Sequence, residues 1–153
     1  MAKTLLLLRH AKSSWENVNL ADHDRPLAPR GQRASKLIAA YLQALGMTPE
    51  QVLCSSSART RETLERVSAG FSGKVEVEIE EALYGASADD LLARLRKVSG
   101  GVESLMVIGH DPAIPELARR LASRGADGKR LRGKFPTAAL ATLDTFDRAN
   151  ANT

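Results

Sequence analysis

The chain has 153 residues, 43% hydrophobic and 26% charged, proportions that suit one globular domain and exclude a disordered tail or a simple repeat array. Its one cysteine, Cys54, cannot form an internal disulfide, and the opening apolar run is too short for a signal peptide or membrane span, so a reducing, cytoplasmic setting is expected. A formal charge of +4 favours an anionic partner without saying which.

Thr4–Leu8 is a short, wholly apolar run ending at Arg9-His10, the pattern of a strand buried on both faces. Polar sequence follows from Ala11 to Arg30, where Pro26 and Pro29 are expected to exclude regular structure. From Gly31 to Leu45 apolar residues recur at helical spacing, with Gly46 placed as a C-cap. A strand is predicted around Gln51–Cys54, then a run of serines, then a helix from Ala58 to Ala69 closed by Gly70. Val75, Val77 and Ile79 alternate with glutamates, as in a half-exposed strand. Ser87 reads as the N-cap of a helix over Ala88–Val98, with Asp89 and Asp90 well placed in its first turn. Leu105–Ile108 is a further buried strand, Pro112 opens a helix through Leu121, and Ala138–Leu143 forms a last strand.

Alternating strands and helices with no internal linker predict a single domain, residues 1–153 with a core of about 4–144. Its class is an α/β/α three-layer sandwich around a largely parallel sheet. Such folds bind ligands outside the carboxyl ends of their strands. Arg9-His10, Ser55–Arg59 and Gly109-His110 all follow predicted strands there. Arg9 and Arg59 keep their protons, and a planar guanidinium holds two phosphate oxygens at once. A neutral His10 can attack phosphorus to give a phosphohistidine that water later hydrolyses, provided its other nitrogen has an acceptor that fixes the tautomer. His110, before the helix that Pro112 opens, can donate to phosphoryl oxygens.

These residues resemble a known family. Arg9-His10 after an apolar strand, Ser55-Ser56-Ser57-Ala58-Arg59-Thr60-Arg61-Glu62-Thr63, and Val107-Ile108-Gly109-His110-Asp111-Pro112 look like the three signatures of the histidine phosphatase superfamily, in order. Asp24-Arg25-Pro26-Leu27 with Arg30-Gly31, and Phe135-Pro136-Thr137-Ala138-Ala139, look more specifically like the small SixA-type phosphohistidine phosphatases. The resemblance runs from about Thr4 to Asp144 and implies a phosphoglycerate mutase-like fold and phosphatase activity without metal or other cofactor. Residue by residue it implies His10 as nucleophile, Arg9 and Arg59 as phosphate-binding arginines and His110 as the second pocket histidine. Glu81, in Glu81-Ala82-Leu83-Tyr84-Gly85, resembles the proton donor of the mutase branch, or is one of several surface acids.

The chain departs from the pattern where many relatives have glycine and glutamate after the dipeptide: here stand Ala11 and Lys12. Ser13 then either donates a hydroxyl to the phosphate or simply forms a turn. Trp15 is expected to cover core, with the pocket mouth as the alternative. Cys54 is expected in the core, and Asp22, His23 and Asp24 make too weak a cluster for a metal site. With little sequence between its motifs, the chain predicts an open, shallow site for a phosphorylated protein, phosphohistidine above all, or for a small phosphorylated molecule; neither nucleic acid nor membrane is expected as partner. A non-catalytic phosphoprotein-binding module is the reading from another class. The charge is uneven: seven cations face one carboxylate within residues 119–134, a net of +6 that leaves the rest at −2. That window is either solvated surface or a docking face.

Overall fold

Leu5, Leu6, Leu7 and Leu8 are all at most 1% exposed, because the strand they form has a helical layer on each side. In the computed structural model, which describes residues 4–122 and 137–144, the strands are β1 (Thr4–Arg9), β2 (Gln51–Ser55), β3 (Glu76–Glu80), β4 (Ser104–Gly109) and β5 (Leu140–Asp144). The helices are α1 (Pro29–Leu45), α2 (Ala58–Val67), α3 (Ala88–Arg96) and α4 (Ala113–Ala122). The sheet order is β3-β2-β4-β1-β5, parallel throughout except for β5, which runs antiparallel to β1. Alternate residues of each strand feed two cores. Leu5, Leu7, Leu53, Leu105 and Val107 pack with α3 and α4; Leu6, Leu8, Val52, Cys54 and Ile108 pack with α1 and α2. The expected three-layer α/β/α sandwich is the observed one. Among the described residues no helix is long and apolar enough to cross a membrane.

Local chemistry sets the boundaries. Pro29, expected to exclude regular structure, instead opens α1, because a helix leaves its first N–H groups unpaired and proline has none to lose. Gly46 ends α1 at φ 64°, as a left-handed C-cap requires. Ser57 caps α2, accepting the Thr60 amide at 3.3 Å. Ser87 and Asp90 form a reciprocal capping box on α3. β3 lies at the sheet edge, where Val77 and Ile79 stay 47% and 45% exposed. Arg94 of α3 binds the side chains of Glu78 at 2.6 Å and Glu80 at 2.8 Å, so these two glutamates share one cation.

The segment between β1 and α1 is pinned to itself. Ser13 pairs with Leu27, the Ser14 amide donates to Pro26 at 2.8 Å and the Ala28 amide to Lys12 at 2.9 Å. Gly31 allows this, since a Cβ there would lie 2.1 Å from the Lys12 carbonyl oxygen. Of the basic 119–134 window, Arg119 to Ala122 are described, while 123–134 and the motif residues Phe135 and Pro136 lie outside the described residues.

Candidate active site

β2, β4 and β1 are neighbours in the sheet, so the segments leaving their carboxyl ends meet. The backbone at Arg9-His10 is held from both sides. His10 N–H donates to Gly109 at 3.0 Å, Arg9 N–H donates to Ala139 at 3.1 Å, and the Ala138 amide reaches the carbonyls of both Arg9 and His10. Ala138 adopts φ 60°, a left-handed conformation uncommon for a residue with a Cβ.

The His10 side chain is 7% exposed. Its Nδ1 lies 2.7 Å from the Ala11 carbonyl oxygen. A carbonyl only accepts, so Nδ1 carries the proton and the neutral ring keeps a lone pair on Nε2. The Ala11 amide donates to Thr63 Oγ1 at 3.0 Å, and the Thr63 hydroxyl donates to the Arg59 carbonyl at 2.7 Å. His110 stands 5.3 Å away, centroid to centroid, with Nε2 2.8 Å from Ser55 Oγ. Burial, reinforced by Arg59, Arg9 and Arg25, pushes the His10 pKa down to about 4 against a smaller opposing effect of the Ala11 bond. Burial, together with His10 and Arg59, takes His110 down to about 3. Both rings are therefore neutral near pH 7.

Arg59, in the first turn of α2, is 8% exposed. Its Nη1 donates to the Asp22 carbonyl at 2.7 Å and its Nη2 to Asp22 Oδ2 at 3.0 Å. The Tyr84 hydroxyl donates to the same carboxylate oxygen. Tyr84 meets the rings of His110 and His23 edge-on at 5.5 and 4.8 Å. Arg25, 6% exposed, donates to Ser13 Oγ, lies 3.3 Å from the Trp15 ring centroid and reaches to 3.6 Å from Asp22 Oδ1. Its buried Nε has no hydrogen-bond partner among the described residues.

The structure thus brings Arg9, His10, Arg59 and His110 into one cluster. Ser13 sits one step back, as the acceptor for Arg25. Glu81 is exposed at the start of a 3-10 turn, Glu81–Leu83, and the member of that segment that touches the cluster is Tyr84. Trp15 does not cover core: it is 66% exposed, because the guanidinium of Arg25 occupies its inner face. Cys54 is fully buried, with burial pushing its thiol up to about 12, so it is core and no nucleophile. Asp22 turns to Arg59 and Tyr84, while His23 pairs with Asp24 at 3.3 Å through Nδ1 and lies 2.8 Å from Ser56 Oγ through Nε2. Sequence reasoning missed Arg25, Asp22 and Tyr84. Arg25 carried a signal, its place in the Asp24-Arg25-Pro26-Leu27 motif.

Residues 5–91 match the family model of the histidine phosphatase superfamily (branch 1). Uncharacterized protein Rv1276c of Mycobacterium tuberculosis is 39% identical over 140 residues, spanning 89% of this chain and 85% of that protein. A candidate phosphohistidine phosphatase SixA from Agrobacterium tumefaciens superposes with a TM-score of 0.85 at 28% identity, covering 93% of this chain and 91% of that one. The protein histidine phosphatase SixA complexed with tungstate gives 0.81 at 26% identity, covering 96% and 90%. The sandwich is of the phosphoglycerate mutase-like kind.

Proposed function

The chain belongs to the histidine phosphatase superfamily, and from that premise we propose that this phosphatase removes the phosphoryl group from phosphohistidine on a protein, through a phosphorylated His10. The observation that carries the reading is the bond from His10 Nδ1 to Ala11, which leaves the Nε2 lone pair of a neutral ring among Arg9, Arg25 and Arg59. Nε2 attacks phosphorus, the bond from phosphorus to the substrate breaks, and its electron pair leaves with the substrate atom. Charge on the equatorial oxygens is offset by the arginines and by Nδ1–H of His110, in the tautomer in which the Ser55 hydroxyl donates to Nε2 of that ring. Water then attacks the phosphoenzyme and the pair returns to Nε2. Positioning and charge do the catalysis.

Two features support phosphohistidine as the substrate. The likeness to SixA proteins extends over more than nine-tenths of this chain. Trp15, 66% exposed and stacked on Arg25, also gives the site an exposed apolar element suited to a protein surface. A labile P–N bond needs no strong acid, so the reading gives Glu81 no part in its cleavage. The setting is cytoplasmic and the partner is a phosphorylated protein, with neither nucleic acid nor membrane involved. Offered a phosphohistidine peptide and p-nitrophenyl phosphate, the enzyme is expected to favour the peptide in kcat/KM by about tenfold or more. Equal rates, or faster ester hydrolysis, would assign it to small phosphomonoesters instead.

A further inference from the structure

The arginines around His10 meet a carboxylate, Asp22, that enters from the 3-10 turn Asp22–Asp24. Asp22 Oδ2 accepts from Arg59 at 3.0 Å and from Tyr84. Oδ1 lies 3.6 Å from Arg25, beyond a hydrogen bond, and accepts none among the described contacts. The side chain is 53% exposed, so the carboxylate keeps unused acceptor capacity that is open to solvent. The Tyr84 hydrogen bond, helped by Arg59, lowers its pKa, so it carries a full negative charge near pH 7. It stands across one guanidinium from the anion that Arg59 would hold. A fixed negative charge beside the arginines repels the dianion they attract, a cost to anion binding that is present even where the carboxylate also braces Arg59.

We infer that Asp22 is a specificity-determining residue that selects phosphoryl substrates whose leaving group is positively charged and rejects those with a second anionic group. The inference deepens the proposed phosphohistidine activity and rests on it for the natural substrate. A phosphorylated imidazole protonated on its far nitrogen is a cation, and Oδ1 is free to accept that N–H. When His10 Nε2 attacks, the P–N bond breaks, its electron pair stays on the leaving nitrogen, and the substrate departs as a neutral imidazole with the far proton still in place. No separate acid is consumed. The same carboxylate disfavours a phosphorylated hydroxy acid or a bisphosphate, whose second anion would face it.

Three small phosphomonoesters of similar size test the charge rule: O-phosphoethanolamine, glycerol 3-phosphate and 3-phosphoglycerate, with cationic, neutral and anionic tails. Wild type is expected to rank them in that order in kcat/KM, with about a tenfold or greater ratio from first to last. In Asp22→Asn the ratio falls toward one, and in Asp22→Glu the order persists. A wild type blind to tail charge, or an Asp22→Asn variant that loses all three rates by one factor while keeping the order, would overturn the inference and leave Asp22 as a brace for Arg59. A phosphohistidine peptide run alongside separates the two proposals. If wild type ignores the peptide yet keeps the charge order, the substrate reading fails and the role of Asp22 stands. If wild type cleaves the peptide but ignores tail charge, only the role of Asp22 falls.

Discussion

The Nδ1–H of His10 donates to the next residue's carbonyl at 2.7 Å, and Thr63 holds that residue's amide. The tautomer is therefore fixed by backbone, with no carboxylate partner needed. Burial and three neighbouring arginines then disfavour the imidazolium. The sign follows: protonation must overcome both, so the ring stays neutral as pH falls through 6.5 and charges only near 4. Ring NMR of the free protein is expected to show His10 titrating near pH 4 and His110 near pH 3. Adding tungstate should raise both midpoints, because an oxyanion on the arginines favours the charged rings. Midpoints at 6.5 or above in the free protein would contradict this environment. That Arg9, His10, Arg59 and His110 meet is legible in the sequence because each lies at or a few residues beyond the end of a short apolar run, and parallel strands deliver those ends to one edge. Asp22, Arg25 and Tyr84 were not, since each reaches the cluster from an irregular or 3-10 segment whose path depends on tertiary packing. Trp15 departs from the expected core position for a related reason: nothing in the local sequence marks that a guanidinium covers one face of the indole.

Elements were readable where one physical signal dominated. The continuous leucines of β1 require two covering layers, and Gly46 and Ser87 mark helix ends through backbone freedom and a capping oxygen. Pro29 opens α1 rather than excluding it because the same ring that breaks a helix interior suits its first position. The antiparallel direction of β5 depends on the path of the chain after α4, which residue pattern does not encode. Gly31 is the element-scale control on the site, since it lets α1 approach the Lys12 carbonyl and so places the loop carrying Asp22 and Arg25. Gly31→Ala puts a Cβ 2.1 Å from that oxygen and is expected to cost about 2 kcal/mol or more in urea unfolding. Gly85→Ala, where nothing lies within 4 Å, should change stability by roughly 0.5 kcal/mol at most. Equal effects of the two substitutions would mean that the close packing of α1 on the loop is not as described.

At the scale of the molecule, the +4 charge conceals several local balances. Arg120, inside the basic window, binds Asp89 at 2.6 Å and Glu116 at 3.1 Å, and Arg94 neutralises the edge of β3. Part of the polarity visible along the sequence is thus spent within the fold. The three arginines near His10 lie outside that window: Arg9 ends β1, Arg25 sits in the segment between β1 and α1, and Arg59 stands in the first turn of α2, after β2. Overall charge was a poor guide because it sums groups that the fold separates. Topology was the better one, since parallel strands with crossover helices deliver their loops to one edge. The central claim is that His10 Nε2 accepts the phosphoryl group, and acid-sensitive, alkali-stable labelling tests it most directly. After brief exposure to a ³²P-phosphohistidine protein and alkaline quench, wild type is expected to carry label on His10, and His10→Ala to carry none while still folding and binding tungstate. Undiminished turnover by His10→Ala, or label that persists in that variant, would contradict it.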